Sequence, residues 1–465
     1  MQLTGKIPLA LLFFAPLLLS GCGGGATSTG GGSGLTAQTI TFANPGTQTV
    51  GTPLTLSATA SSGLAVAFTS ATTSVCTVSG TTATFVAAGT CTIDANQAGN
   101  STYAAASQVA DSFTVNAASG QTTTVYIVGF ASLATGGTTA EKWQLTSGSP
   151  PALTTALPLP SGTTSAPEAT GIAVSGSDVY VAGYAYLPTG TEIAAYWANG
   201  AATTLPRPSG TSNSVGTGMA VSGSDVYVAG YAYSNDAPET GTPAYWVNGA
   251  LEILPLPSGT TGGVATGIAV SGGNVYVGGY LGLSAGTEIA AYWANGAPEI
   301  LPLPSGTLQS LATGIAVSGS DVYVAGYAIG NAMAFATAAY WMNGTVETLP
   351  LPSGTTGAVA NGIAASGSNV YVAGYGYEND ALETQIAAYW VNGAATTLPL
   401  PSGATSAQAT GIAVSGGNVY VAGWGYNSAT QTYTAAYWMN GTLETLPLPS
   451  GTTGAYSAAI AVSTQ

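Results

Sequence analysis

Apolar residues in most of this chain occur in short unbroken runs, and small polar residues separate the runs at regular intervals. Two runs, GIAVS and DVYVAGY, are joined by SG[SG][DN], and a later AAYW run is joined to TLPLP by an Asn-Gly pair. Gly, Asp and Asn tolerate the positive φ angles of tight hairpin turns, so the pattern predicts four antiparallel strands per unit. The prolines that end the fourth strand cannot donate to a ladder, which places that strand at a sheet edge.

Three sequence words recur seven times in the same order. The word VYxxG[YFW] begins at Val125, Val179, Val226, Val275, Val322, Val370 and Val419. Each copy is followed by a tryptophan and then by LPxP; the tryptophans are Trp143, Trp197, Trp246, Trp293, Trp341, Trp390 and Trp438. Seven units of about 48 residues with four strands each predict a seven-bladed β-propeller. A solenoid is the alternative, but it needs polar capping units at both ends, and the sequence shows none.

The first and last copies of the repeat are incomplete. TTTVYIVGF, which contains Val125 and Tyr126, lacks the GIAVS strand that should precede it. SAAIAVSTQ, which contains Ile460 and Val462, is that strand without a successor. We therefore expect these two segments to complete one blade, three strands from the front and one from the back, which would close the ring and remove its open edges.

The segment before the repeats, residues 38–117, has a different pattern. Short runs rich in Val, Thr, Ile and Phe alternate with Gly, Asn, Pro and Ser clusters, which predicts an all-β sandwich of about seven strands. Its words LTLSATASSG, SVCTVSG and AGTCTI resemble the Ig-like domains of exported bacterial proteins. The resemblance implies a stalk or spacer, with binding by this domain as the alternative. The predicted fold is all-β, an Ig-like sandwich, a linker at 118–123 and a propeller at 124–465.

The beginning of the chain has the features of an export signal. Residues 7–19 are apolar, a run too short to span a membrane but typical of a signal-peptide core. The LSGC that ends at Cys22 resembles a bacterial lipobox, and the resemblance implies a signal peptide at 1–22 and lipidation of Cys22. The alternative is an ordinary secretory signal with a chance cysteine. Residues 23–37 are rich in Gly, Ser and Thr and predict a flexible tether. We expect an exported protein that is attached to the bacterial envelope only through its lipid.

Composition limits the possible functions. In an exported chain the two remaining cysteines, Cys76 and Cys91, predict one disulfide. Only 5% of the residues are charged, the formal net charge is −15, and beyond the leader the cations are Lys142 and Arg207. Such acidity repels phosphate backbones and argues against nucleic-acid binding. The chain has no His, which excludes a Ser-His-Asp triad. We expect no metal, no cofactor and a monomer.

The candidate ligand residues lie in the variable segments between DVYVAGY and AAYW. If the first strand of each unit is innermost, these segments share one face of the ring with the PSGTT connectors, and only the segments vary enough to give specificity. Their carboxylates and aromatic residues are Tyr186, Glu192, Tyr233, Asp236, Glu239, Glu288, Tyr377, Glu378, Asp380, Glu383 and Tyr426. Trp424, the only Trp outside the seven repeat positions, is a further candidate. The acids Glu378, Asp380 and Glu383 lack the pattern of a calcium loop.

Several functions fit these residues. Aromatic and acidic side chains around a propeller mouth favour binding of a glycan, peptide or protein, and this is the leading hypothesis: a non-catalytic envelope lipoprotein. A carboxylate-dependent glycan hydrolase or lyase is the alternative from the enzyme class. A purely structural or adhesive module, whose acids only maintain solubility, is the third. The repeat resembles NHL-type and HAF-type repeats, and neither resemblance implies an activity.

Overall fold

A computed structural model describes residues 35–116, 122–147, 152–153, 156–284, 286–330, 335–378 and 384–465. Every regular element in these ranges is a β-strand. None of the described residues forms a helix with the length and apolar character of a membrane span. By its packing the chain divides into two compact units, one from Met1–Ala43, Ser57–Ala67 and Ala95–Val109, the other from Asn44–Leu56, Phe68–Asp94 and Ala110–Gln465. The domain boundaries expected from the sequence stay predictions.

Nine short strands precede the repeats: β1 (Ile40–Phe42), β2 (Gln48–Thr49), β3 (Leu54–Thr55), β4 (Ala58–Ala60), β5 (Ala67–Ser70), β6 (Cys76–Ser79), β7 (Thr82–Phe85), β8 (Gly89–Asn96) and β9 (Val109–Asn116). They pair in the orders β1-β4, β2-β9-β8-β5 and β3-β7-β6. The count exceeds the expected seven because β2 and β3 are two-residue pieces. The disulfide is confirmed, since Cys76 of β6 is bonded to Cys91 of β8 and both are fully buried.

Seven four-stranded antiparallel sheets follow, and they are the blades of a β-propeller. Blade 1 combines β37 (Thr452–Thr464) with β10 (Thr123–Leu133), β11 (Thr138–Thr146) and β12 (Ala152–Leu153). Blades 2 to 4 contain β13 (Ser165–Ser175), β14 (Asp178–Tyr186), β15 (Glu192–Ala198), β16 (Ala201–Thr204); β17 (Asn213–Ser222), β18 (Asp225–Ser234), β19 (Ala237–Val247), β20 (Ala250–Ile253); and β21 (Thr260–Ser271), β22 (Asn274–Leu283), β23 (Glu288–Ala294), β24 (Ala297–Ile300). Blades 5 to 7 contain β25 (Thr307–Ser318), β26 (Asp321–Gly330), β27 (Ala336–Met342), β28 (Thr345–Thr348); β29 (Gly357–Ser366), β30 (Asn369–Tyr377), β31 (Gln385–Val391), β32 (Ala394–Thr397); and β33 (Ser406–Ser415), β34 (Asn418–Asn427), β35 (Thr432–Met439), β36 (Thr442–Thr445).

The first strand of each unit is innermost, and glycine makes this possible. A Cβ atom on Gly218 of blade 3 would lie 2.9 Å from the Cα of Gly267 in blade 4, so the inner strands approach closely where the GI word begins. Within a blade, a Cβ on Gly230 of the second strand would lie 2.0 Å from the carbonyl oxygen of Val215. The glycines of the GI and VAG words are therefore required by close backbone approach.

A bulge residue in each inner strand bonds the next blade. In blade 2 the register between β13 and β14 shifts at Thr170, which leaves this residue out of the ladder. Its hydroxyl donates to the carbonyl oxygen of Gly216 in blade 3 at 2.8 Å. Equivalent bonds link each of blades 3 to 7 to the blade that follows it, and blade 7 is thereby bonded to blade 1. Their donors are Thr217, Thr266, Thr313, Asn361 and Thr410.

The chain ends close the ring as expected. The last strand, β37, pairs with β10 along its length and places Val462 opposite Val125, Ala461 opposite Tyr126, and Ile460 opposite Ile127. The hydroxyl of Ser463 also donates to the carbonyl oxygen of Gly176 in blade 2, at 3.0 Å. Blade 1 is thus completed by both ends of the repeated region.

The variable segments between DVYVAGY and AAYW are loops only in part. Glu192 begins β15 opposite Tyr186, the last residue of β14, and Ser234 pairs with Ala237 in blade 3. The second and third strands continue to pair beyond their sequence words, so several expected loop residues lie at strand ends. We call this end of the propeller, with the hairpins from second to third strand and the connectors between blades, the loop face.

Candidate functional site

The loop face of blade 7 contains a cleft of about 470 Å³. We call it the blade 7 cleft, and its lining residues are Gln385, Ser406, Gln408, Trp424, Tyr426, Ser428, Gln431 and Tyr433. Trp424 and Tyr426 are two residues apart on β34, so both side chains lie on the same side of the strand. Tyr433 of β35 pairs with Tyr426. The structure therefore brings together two residues predicted from the sequence, Trp424 and Tyr426.

Aromatic rings form one side of the blade 7 cleft. The ring of Tyr433 is tilted against Tyr426 at a centroid distance of 4.7 Å and meets Trp424 edge to face at 5.3 Å. Tyr433 also stacks on Tyr456 of blade 1 at 4.1 Å, and Tyr456 stacks on Phe130 at 4.5 Å. The five rings form a continuous aromatic surface from blade 7 to blade 1, which offers a large contact area at a small cost in side-chain entropy.

Neutral polar groups supply the rest of the lining. The amide of Gln408 donates to the amide oxygen of Gln385 at 2.7 Å, which orients both side chains across the boundary between blades 6 and 7. Each amide has further donor or acceptor capacity beyond this bond. Gln431, in the hairpin before Tyr433, has φ of 55° in the left-handed region, where residues other than Gly and Asn are uncommon. The described lining contains no charged side chain.

Carboxylates and tyrosines form a second cluster on blades 2 and 3. The hydroxyl of Tyr184 donates to Glu168 at 2.7 Å. The hydroxyls of Tyr186 and Tyr233 donate to the two oxygens of Glu192, at 3.1 and 2.6 Å. Burial raises the pKa of Glu168, and the Tyr184 hydrogen bond opposes this rise. Burial also raises the pKa values of all three tyrosines. Predicted residues Tyr186, Glu192 and Tyr233 thus belong to one hydrogen-bonded network.

A smaller cleft of about 400 Å³ lies on blades 3 and 4 and includes Glu288, Tyr231 and Tyr280. Burial raises the pKa of the Glu288 carboxyl, and it raises the pKa of Tyr280 to about 12. Tyr280 holds the position in blade 4 that Trp424 holds in blade 7, directly after the glycine of the second strand. The two clefts are equivalent places in the repeat with different side chains.

The remaining predicted residues do not converge on either cleft. Tyr377 is buried, with 8% of its surface exposed, and its hydroxyl accepts a hydrogen bond of 2.5 Å from the amide of Ala336. Asp236, in the turn between β18 and β19, and Glu378, directly after β30, are exposed. The side chain of Glu239 and the whole of Asp380, Glu383 and Cys22 lie outside the described residues. No three His, Cys, Asp or Glu side chains converge as a metal site would require in the part of the chain that the structure describes.

Most of the cleft was not predicted. The residues missed are the amides Gln385, Gln408 and Gln431, the serines Ser406 and Ser428, and the aromatic residues Tyr433, Tyr456 and Phe130. A signal for some of them exists in the repeat itself. Gln408 stands three residues before the inner glycine, where blades 3 to 6 have Val or Leu.

Comparison with known proteins adds a likeness of fold. No protein family matches the chain, and no curated protein is similar to it in sequence. Among solved structures, the chain is similar to the BP39L lectin from Burkholderia pseudomallei, with 15% identity over 70% of this chain and 94% of the lectin, at a TM-score of 0.40. It is also similar to the β-propeller domain of the Trilobed protease from Pyrococcus furiosus, with 9% identity over 70% of this chain and 92% of that one, at a TM-score of 0.40. A third similar structure is a putative 6-phosphogluconolactonase from Bacteroides fragilis, with 12% identity over 74% and 98% of the two chains, at a TM-score of 0.38. These similarities do not bear on a ligand.

Proposed function

We propose that this protein binds a neutral carbohydrate, without catalysis, in the blade 7 cleft. The observation that carries the proposal is the composition of the lining, in which three aromatic rings face a group of amides and hydroxyls and none of the described side chains is charged. A few placed polar groups beside aromatic walls are the usual features of a small-molecule site.

The chemistry of a sugar matches this lining. A pyranose ring has an apolar face of C–H groups, which stacks on the face of an aromatic ring such as Trp424, and a rim of hydroxyls. Amides such as Gln385 and Gln408 both donate and accept, as hydroxyls require. The net charge of −15 disfavours an anionic ligand, because the field of the whole protein repels it. A neutral glycan therefore fits better than an acidic one.

The absence of catalysis is part of the same proposal. Glycoside hydrolysis ordinarily needs an acid and a second carboxylate on either side of the scissile bond. The described lining of the cleft has no carboxylate. On blade 2, Glu168 and Glu192 already accept hydrogen bonds from Tyr184, Tyr186 and Tyr233. These bonds support a positioning or recognition role for the two carboxylates.

The test is a binding screen of the purified protein against neutral glycans, acidic glycans and peptides, with release of reducing ends measured in parallel. We expect binding to neutral glycans and no turnover. Trp424→Ala should weaken this binding at least about tenfold, the loss of about 1.4 kcal/mol of stacking. Tyr280→Ala, the equivalent change in blade 4, is the matched control and should leave binding intact. Binding to peptides alone, any turnover, or equal effects of the two variants would overturn the proposal.

For location, we propose export and attachment to the bacterial envelope by lipid at Cys22, with residues 38–117 acting as an Ig-like stalk for a monomeric propeller. The buried Cys76–Cys91 disulfide supports export, because such bonds persist in oxidising compartments. Cys22→Ser should move the protein from the membrane fraction to the soluble fraction of the cells. Cys76→Ser, which removes a cysteine without touching the lipobox, is the control and should leave the protein in the membrane fraction.

A further inference from the structure

One position of the repeat divides the ring into two parts. The residue three before the inner glycine is aliphatic in four successive blades, as Val215, Val264, Leu311 and Val359. In the three other blades, which are also successive, it is polar: Gln408 in blade 7, Glu168 in blade 2, and Tyr456 in blade 1, where Ala459 replaces the glycine. All three polar residues are partly exposed. Because the three exceptions occupy successive blades, they mark one sector of the loop face.

The aromatic surface continues from the blade 7 cleft into this sector. Tyr456 contacts Trp424 edge to face, at a centroid distance of 5.3 Å, and it stacks on Tyr433 behind it. It also stacks on Phe130 of blade 1. Tyr456 therefore joins the cleft to the next blade without a break in the row of rings.

The sector ends at Glu168 in blade 2. Glu168 lies on β13, the inner strand of blade 2, which packs beside β37, the strand of blade 1 that carries Tyr456. The hydroxyl of Tyr184 holds the carboxylate of Glu168 through a bond of 2.7 Å. A carboxylate that accepts one hydrogen bond keeps acceptor sites for further donors.

We infer that Gln408, Tyr456 and Glu168 mark successive subsites for an oligosaccharide that runs from the blade 7 cleft across blade 1 to blade 2. This inference rests on the proposed function and adds the length and direction of the ligand to it. The first sugar stacks in the cleft, the next lies along Tyr456, and a hydroxyl of a further sugar donates to Glu168. The aliphatic residues of blades 3 to 6 offer no hydrogen bond at this position, which confines the chain to the other three blades.

The experiment is a calorimetric titration with cello-oligosaccharides and malto-oligosaccharides of one to six units, together with the neutral glycans that the screen finds. For the series that binds, we expect affinity to rise up to three or four units, by about tenfold for each subsite filled. Glu168→Val introduces the residue that the same position has in blade 3, so the fold should tolerate it, and Glu168→Gln keeps the shape. Both variants should lose the last step of the rise and leave the affinity for the shortest ligand unchanged.

Glu288→Gln is the matched control, because Glu288 is a partly buried carboxylate of the loop face in blade 4, outside the sector. It should leave the whole length profile unchanged. Affinity that does not depend on chain length would overturn the inference, and so would an equal effect of Glu168→Val on every length. These results would leave the blade 7 cleft as a site for a short sugar. Failure of all neutral glycans to bind would instead overturn the proposed function, and this inference with it.

Discussion

The indole nitrogen of Trp143 donates a hydrogen bond of 3.0 Å to the carbonyl oxygen of Pro447, a residue 304 positions later in the chain. The same bond joins each later blade to the preceding one, at 2.8 or 2.9 Å, from the tryptophan of the third strand to the first proline of LPxP. All seven indoles are buried. The recurring tryptophan and the recurring LPxP are therefore the donor and the acceptor of one hydrogen bond between neighbouring blades. The bond between blades 7 and 1, which closes the ring, is like the other six.

The first prediction follows from the likeness of these seven hydrogen bonds. Trp143→Phe keeps a buried ring but leaves the Pro447 carbonyl without its donor, which should cost about 1–3 kcal/mol. Trp293→Phe makes the same change in the middle of the repeats. In a closed ring the two variants should lose equal stability in urea denaturation. A Trp143→Phe variant as stable as the wild type would show that blades 7 and 1 do not meet in solution.

Removal of the closing strand should have a larger effect. Deletion of 459–465 takes away Ile460, which is buried against blade 7, and uncovers the edge of β10. The loss of one buried Ile side chain alone costs about 2–5 kcal/mol. We expect the melting transition of the propeller to fall sharply or to broaden. Deletion of Gln465 alone, which removes only its two backbone hydrogen bonds to Thr122, is the control and should lower the melting temperature far less. Identical melting of the two truncated forms would contradict a closed ring.

The repeat made most of the fold predictable, because the same sequence motifs form the strands, turns and edge strand of every blade. The hairpin role of Asn-Gly is an example, since Asn199 and its equivalents have φ near 50°. The side-chain hydrogen bonds between blades were not predictable, because the sequence does not show which face of a strand packs against which neighbouring blade. The bonds of Thr170 and Trp143 depend on that choice.

The candidate site was predictable only in part. Trp424 stood out as the only Trp outside the seven repeat positions, and Tyr426 as an aromatic residue in a variable segment. Gln385 and Tyr433 stand at the start of the third strand, where strand pairing extends beyond the AAYW word, and this extension brings them opposite the second strand. Gln408, Tyr456 and Glu168 are recognisable in the sequence as polar residues at a position that is aliphatic in four other units, since deviation from a structural repeat indicates a local role.

The hydrogen bonds that the bulge residues of the inner strands donate to the next blade predict a stabilising substitution. Six blades donate from the bulge residue to the next blade, but blade 1 has Ala458 at this position and no side-chain donor there. Ala458→Thr should add a bond to the carbonyl oxygen of Ala169 and raise stability by about 1 kcal/mol. Thr266→Val, which removes the same hydroxyl from blade 4, should lower stability by a similar amount. Urea denaturation of both variants measures the pair, and a loss of stability in Ala458→Thr would contradict the prediction.

Blade 1 also contains a buried acid at a position where the other six blades have alanine. Glu141 stands two residues before Trp143, and its side chain is 2% exposed. The equivalent residues of the other blades are all fully buried alanines: Ala195, Ala244, Ala291, Ala339, Ala388 and Ala436. Burial raises the pKa of Glu141 to about 7, and a hydrogen bond from Thr139 opposes the rise. The folded protein therefore keeps a proton on Glu141 that the unfolded chain loses near pH 4.5.

Stability should consequently fall as the pH rises from about 4.5 to about 7, because in this window the unfolded chain releases a proton that the folded state retains. The full penalty, up to about 3 kcal/mol, is present above pH 7 and absent below pH 4.5. Glu141→Ala installs the residue of the other six blades, so it should stabilise the propeller at pH 8 and have little effect at pH 4. Glu252→Gln, on the exposed outer strand β20, controls for the loss of one negative charge. Thermal melting of the three proteins between pH 4 and pH 8 measures the difference, and a gain from Glu141→Ala that is the same at every pH would show that Glu141 is not the group that titrates.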